Sequence, residues 1–168
     1  MKSYATVLLA AGISIAATIA TASETAFLQS LDGKWSGSGT VKVRTDSSPV
    51  KVTCNFRSDA KGSSLSLDGN CRGLVVVSRS VQAQLKANGS AYSGSYIGAG
   101  TGTAGLRGNR SGDSIDLGIR WAKEVNGDRS ARLMVEKVGV DGMKLTTLDQ
   151  DPKSGKSVVT SQINLRRL

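Results

Sequence analysis

Apolar and polar residues alternate one by one along most of this chain, and the alternation stops at short clusters of Gly, Asn, Asp and Ser. Side chains of an extended strand point to opposite faces in turn, so a period of two predicts strands with one apolar and one wet face. In the first such segment Trp35, Gly37, Gly39, Val41 and Val43 share a face, opposed by Ser36, Ser38, Thr40, Lys42 and Arg44. Next, Val50, Val52, Cys54 and Phe56 oppose Lys51, Thr53, Asn55 and Arg57; then Leu65, Leu67 and Cys71 oppose Ser64, Ser66, Asp68 and Asn70. Val81, Ala83 and Leu85 follow, then Tyr92, Gly94 and Tyr96, then Ile115, Leu117, Ile119 and Trp121. The last segment turns Val159, Ile163 and Leu165 inward and Gln162 and Asn164 outward. Turns are expected at Ser47–Pro49, Asp59–Gly62, Asn88-Gly89, Asn109–Asp113, Asn126–Asp128, Asp141-Gly142 and Asp151–Gly155, where Gly, Asn and Asp tolerate positive φ.

The pattern amounts to about eight to ten short strands. Strands that are wet on one face need either a second sheet or closure upon themselves. Connections this short favour pairing between neighbours, so the expected fold is all-β: a single up-and-down antiparallel β-barrel, with a β-sandwich as the alternative. Ahead of the first strand, Ser23 to Leu31 carries Phe27 and Leu28 and reads as a short helical lead-in, and no sustained helical period follows it.

The start of the chain has a different character. Lys2 opens a short basic end, Ala5–Ala20 is an apolar run, and Ala20-Thr21-Ala22 presents the small-x-small pattern that a signal peptidase cuts. The run is shorter than the ~20 residues that span a bilayer, and no Cys follows it to accept a lipid. Residues 1–22 therefore read as a cleaved signal peptide and residues 23–168 as one barrel domain, periplasmic or secreted, with no transmembrane span in the mature chain. An oxidising compartment makes Cys54 and Cys71 an expected disulfide rather than a metal site. Both lie on apolar faces of neighbouring strands, but counting about an Asp59–Gly62 turn leaves them out of register unless a bulge near Gly69 intervenes. Closing that loop would stabilise the fold by about 3 kcal/mol.

The chain has no His, which removes Ser-His-Asp and Cys-His nucleophile systems, imidazole acid–base chemistry and His metal ligation. Lys and Arg number 22 against 13 Asp and Glu, a net charge of +9. Lys42, Arg44, Lys51, Arg57, Lys86 and Arg120 fall on outward faces among Ser, Thr and Asn, the pattern of a soluble surface with protected strand edges. The functional counterpart is attraction to an anionic envelope component such as lipopolysaccharide or acidic lipid. Nucleic acid is not expected, because export removes it and no aromatic platform lies among the basic residues.

Two strings imitate nucleotide-binding motifs. Gly100-Thr101-Gly102-Thr103-Ala104-Gly105 has the dinucleotide-binding spacing, but that chemistry needs a helix N-terminus for the pyrophosphate, and Leu106–Gly112 reads as turn. Gly155-Lys156-Ser157 ends like a P-loop, yet Gln150 stands where the first Gly is required. Asp113 with Asp116, and Asp149 with Asp151, are the nearest to paired carboxylates, at turns where Asp is common anyway. No cofactor, metal ligand set or catalytic residue is expected.

Leu31-Asp32-Gly33-Lys34-Trp35 resembles the Gly-x-Trp start of the calycin barrels, the lipocalin and avidin group. The resemblance implies a barrel whose end is plugged by Trp35 behind Gly33, with an Arg of the last strand packed on the ring, a cation–π contact. Arg167 shares the parity of Leu165 and is the candidate, with Arg166 as the alternative. The Thr-Asp-Tyr motif of lipocalins is absent, and Gly37 and Val41 stand where avidins carry the Asn and Ser that hold biotin, so biotin binding is not implied. A weaker likeness is to small bacterial metalloprotease-inhibitor barrels, which are exported, begin with the same Gly-x-Trp and carry one disulfide.

The expected function is non-enzymatic: binding of a small or lipidic ligand in the cup opposite the plug, or a structural role in the envelope. Tyr92, Tyr96 and Trp121 face inward and are the candidates to line that cup. The competing expectation is a protein-binding module, a protease inhibitor acting through its N-terminal segment or loops. An apolar cavity favours the first reading; a filled barrel with an extended N-terminal arm favours the second. Protein recovered from the envelope fraction of its own host should begin at or near Ser23 by intact-mass measurement, and a soluble envelope form that keeps residues 1–22 would overturn the export reading.

Overall fold

In the computed structural model, which describes residues 16–73, 77–98 and 100–168, each alternating segment forms a strand. The chain runs α1 (Ala16–Ser30), β1 (Gly33–Val41), β2 (Val50–Lys61), β3 (Ser64–Gly73), β4 (Val77–Asn88), β5 (Ala91–Ile97), β6 (Ala104–Ser111), β7 (Ser114–Val125), β8 (Asp128–Val138), β9 (Gly142–Gln150) and β10 (Ser157–Arg167). Every strand pairs antiparallel with its sequence neighbours, and β1 pairs with β10 to close the barrel. The fold is thus an all-β up-and-down barrel of ten strands with one helix before the first. Of the expected signal peptide, residues 1–15 lie outside the described residues, and α1 runs across the expected cleavage point.

Closure depends on backbones approaching more closely than side chains would allow. At the β1–β10 seam a Cβ on Gly37 would stand 1.9 Å from the Asn164 carbonyl oxygen, and one on Gly39 1.9 Å from that of Gln162. These inward-facing glycines are sites where the strands coil tightly, the role glycine takes at barrel corners.

At the end where β1 starts, Phe27 and Leu28 of α1, with Leu31 just after it, pack with a fully buried Trp35. The Trp35 Nε1–H donates to Ser58 Oγ at 2.8 Å and to the Leu31 carbonyl at 3.2 Å, and the Ser58 hydroxyl donates in turn to Leu31. The Arg167 guanidinium lies 4.4 Å from the Trp35 ring centroid and donates to the carbonyls of Ser30, at 2.7 Å, and Asp32. One cation therefore stacks on the indole and caps the helix C-terminus, where orphan carbonyls and the helix dipole both favour positive charge. A second tether lies nearer the helix start. Glu24 accepts from Tyr92 at 2.6 Å and pairs with Arg110 at 2.8 Å, while Arg110 also sits 4.6 Å from the Phe27 centroid.

Several local expectations shift. The hairpin between β2 and β3 turns at Gly62-Ser63, two residues later than expected, with Gly62 at φ +56°. That shift alone puts Cys54 directly opposite Cys71, and the ladder runs unbroken from Lys61↔Ser64 to Val52↔Gly73 with no bulge at Gly69. The disulfide joins the two across a Cα separation of 4.1 Å. Leu106–Ser111 belongs to β6 rather than to a turn, because pairing with β7 outweighs the local Gly and Asn content. Val159 is exposed, since a register shift between Val159 and Ser161 turns Thr160 inward instead. β1 ends at Val41, which leaves Val43 beyond it and exposed.

Replacing Trp35 by Ala should lower unfolding free energy by roughly 3–5 kcal/mol, as for a large aromatic removed from a core, and Gly39→Ala should cost about 2 kcal/mol by forcing the seam apart. Urea melts check both, and a near-neutral Trp35→Ala would remove Trp35 from its place as the plug.

Candidate functional site

About eight strands make a barrel that side chains just fill; this one has ten, and Val and Leu are the commonest residues lining its interior. The consequence is a cavity of about 410 Å³ between the Trp35 end and the opposite end of the barrel. Val41, Val52, Leu67, Val81, Leu133 and Leu145 point inward yet are only partly buried, because the cavity rather than another side chain faces them. Leu31, Phe56 and Ser58 form its floor above the plug.

The end opposite the plug is chemically different. Tyr96 of β5 and Trp121 of β7 meet edge to face, with ring centroids 5.8 Å apart and planes at 67°, a favourable aromatic geometry. Burial pushes the Tyr96 phenol pKa up, so it stays neutral at any physiological pH. Asp149 of β9 also lines the cavity and is 5% exposed. Its Oδ2 accepts from Thr160 Oγ1 at 2.6 Å, whereas among the described residues neither its Oδ1 nor Trp121 Nε1, both buried, meets a hydrogen-bond partner. Burial raises the Asp149 pKa above the ordinary value, and the Thr160 and Asn126 side chains offset only part of that rise.

Two irregularities aim these groups. The β7–β8 register shifts between Arg120 and Val125, beside Trp121, and the β9–β10 register shifts between Val159 and Ser161, beside Asp149. Bulges of this kind re-aim side chains at barrel rims and sites. Here the second one brings both Thr160 and Ser161 to the cavity.

Tyr96 and Trp121 are thus brought together on the cavity wall, whereas Tyr92 lies at the plugged end, where it donates to Glu24. Gly33, with φ at +132°, sits directly before Lys34-Trp35, under the Arg167 side chain. Arg166 is exposed and takes no part in the stack. Of the basic residues expected outside, Arg44, Lys51, Arg57, Lys86 and Arg120 are exposed, but Lys42 lines the far end of the cavity with its ammonium on the Thr45 carbonyl at 3.3 Å. Asp149 was readable only as a turn residue beside Asp151. In the fold the two part: Asp149 turns inward, while Asp151 stays on the loop and accepts from Thr45 and Ser154. The available signal was parity, since Asp149 falls on the inward face with Met143, Leu145 and Thr147. Outward Leu148 and the Thr146-Thr147 pair obscure it.

No family model matches the chain, and no curated protein does. The chain shares its fold with the M. tuberculosis protein Rv2717c. The crystal structure of that protein superposes with a TM-score of 0.64 at 17% identity, over 84% of this chain and 94% of that one. A likeness at this identity is one of architecture: the same kind of barrel carries different side chains.

Asp149 weakens the fold it sits in. A raised native pKa means that the folded protein binds the proton more tightly than the unfolded chain, so stability falls as pH rises through the native value. The penalty is absent below the ordinary Asp value and complete above the raised one. Asp149→Asn should therefore match the parent in acid and exceed it in stability at neutral pH, a divergence that urea melts at several pH values would show or refute.

Proposed function

We propose that this chain is an exported, non-enzymatic barrel of the cell envelope that binds a small apolar or lipidic molecule inside its cavity. One observation carries the reading: a well-packed interior would fill the barrel, but here inward Val and Leu side chains face unfilled space of about 410 Å³, within the range of small-molecule sites. A cavity is destabilising in itself, because its lining loses contacts; an occupant restores them. The stack of Arg167 on Trp35 behind Gly33 supports placing the barrel with the calycins, whose ligands lie opposite the plug. The inhibitor reading has less support, because the N-terminal segment that would act as an arm is a helix packed onto the barrel.

Protein purified from its own host and weighed under native conditions should carry one small molecule per chain, released on denaturation. The emptied protein should bind N-phenylnaphthylamine with enhanced probe emission and quenching of Trp121 fluorescence, and Trp121→Phe should remove the quenching. Absence of both a retained molecule and probe binding would overturn the reading.

A further inference from the structure

Two cations stand at the end of the cavity opposite Trp35, and no carboxyl pairs with them. Among the described residues that line the cavity, the charged ones are Lys42, Arg79 and Asp149. Asp149 is 5% exposed and met by the neutral Thr160 and Asn126 side chains, so it is walled off from the opening. The cations are not. Arg79 has the inward parity of Val81, Ala83 and Leu85 on β4 and lies opposite Cys71, yet it is exposed. The outward positions on either side of it are Ser78 and Ser80. A charge that served solubility alone would belong on that outward face; here it is on the face that leads into the cavity. The guanidinium extends along the rim, with Nη1 3.8 Å from where a Cβ on Gly100 would stand in the β5–β6 connection. Lys42 follows the last residue of β1, is half-buried, and gives one of its three ammonium hydrogens to the Thr45 carbonyl at 3.3 Å. Only β2 and β3 separate the strands that carry the two, so both cations face one side of the opening. All 13 acidic residues of the chain lie among the described residues, and none forms a salt bridge with Lys42 or Arg79. Asp46, in the loop after Lys42, is already held by Arg44 and Lys153.

Resting on the binding function proposed above, we infer that the ligand is an amphiphile with an anionic head, a carboxylate or a phosphate, whose tail fills the apolar cavity while its head stays at the opening against Lys42 and Arg79. The two halves of the site call for different chemistry. The Val and Leu wall offers the tail contacts and no hydrogen bonds. The cations offer donors that only the solvent and the Thr45 carbonyl now meet among the described residues, and an anion at the opening gains charge-assisted hydrogen bonds from both without entering the low-dielectric interior. A neutral head gains little over water there, and a cationic head meets like charge.

The test is displacement of N-phenylnaphthylamine at neutral pH by decanoate, decyl phosphate, decanol and decylamine, which share a tail and differ in the head. At about 0.01 M salt, where exposed charges are little screened, decanoate and decyl phosphate should each displace the probe at a concentration about tenfold below that of decanol, with decylamine the weakest. The tighter of the two anions identifies the head. At about 1 M salt the lead of the anions over decanol should shrink to about twofold. In the double variant Lys42→Gln, Arg79→Gln the lead should vanish even at low salt; neither residue belongs to the buried core, and a thermal melt verifies the fold. Arg79→Glu should go further and place decylamine ahead of decanoate. Lys86→Gln removes an equal charge from an exposed residue at the other end of β4, and should leave the lead within about twofold of the parent value. Anions that bind no better than decanol, a lead that survives the double variant, or a lead lost equally in Lys86→Gln overturns the inference and leaves the binding function standing. Failure of the probe to bind at all removes the binding function and this inference with it.

Discussion

The contact between Arg167 and Trp35 brings three distant parts of the chain to one point. Trp35 is the third residue of β1, Arg167 the last of β10, and the carbonyls that Arg167 caps belong to Ser30, the last residue of α1, and to Asp32 just beyond it. The stack therefore fixes three things together: the register in which the first and last strands meet, the angle at which the helix leaves the barrel, and the closed end of the interior. A partly buried cation–π contact contributes about 1 kcal/mol, and capping a helix C-terminus adds up to about 1 kcal/mol. Its larger effect is on topology, because a β1 that did not find β10 would leave two unpaired edges and no enclosed space.

Once the ends meet, strand number decides what lies inside. Ten strands enclose more volume than the inward side chains fill, and the residues at the middle of the barrel are Val and Leu rather than the aromatics that would close the space. The bulky aromatics sit at the two ends instead, Trp35 with Phe27 and Phe56 at one and Tyr96 with Trp121 at the other. The cavity is thus a property of how side-chain volume is distributed along the barrel axis.

The period of two is a strong signal because one face of each strand is buried, so strand positions, the barrel and the inward parity of the cysteines were legible along the chain. Turn placement was less so. Both Asp59–Gly62 and Gly62-Ser63 are good turn sequences, and only cross-strand pairing chooses the second, which is what sets Cys54 opposite Cys71. Bulges are invisible to parity, which alone puts Val159 inside although Thr160 takes the inward position. The tether of Glu24 to Tyr92 and Arg110 spans residues 68 and 86 positions apart. No local pattern encodes such a pair, and Tyr92 looked like any other inward aromatic. Asp149 is legible only as an exception to a face that is already hard to assign.

The two buried carboxyls show how differently the ends of one barrel are built. At the plugged end, burial alone would raise the pKa of Glu24, but hydrogen bonds from Arg110 and Tyr92 and the Arg110 charge outweigh it and hold the carboxyl below its ordinary value. Its contribution to stability is therefore present above the ordinary Glu value and is lost as pH falls through the lowered native one. At the other end Asp149 is met by the neutral Thr160 and Asn126 side chains and forms no salt bridge among the described residues, its pKa moves up, and its contribution has the opposite sign. Removing Arg110 would convert the first situation into the second, leaving a buried charge uncompensated at a cost of about 3–5 kcal/mol. The chain thus satisfies a buried carboxyl fully where the structure must stay shut. Where the cavity begins, the other carboxyl has neutral partners alone, so burial outweighs them and two acids of the same chemistry shift in opposite directions.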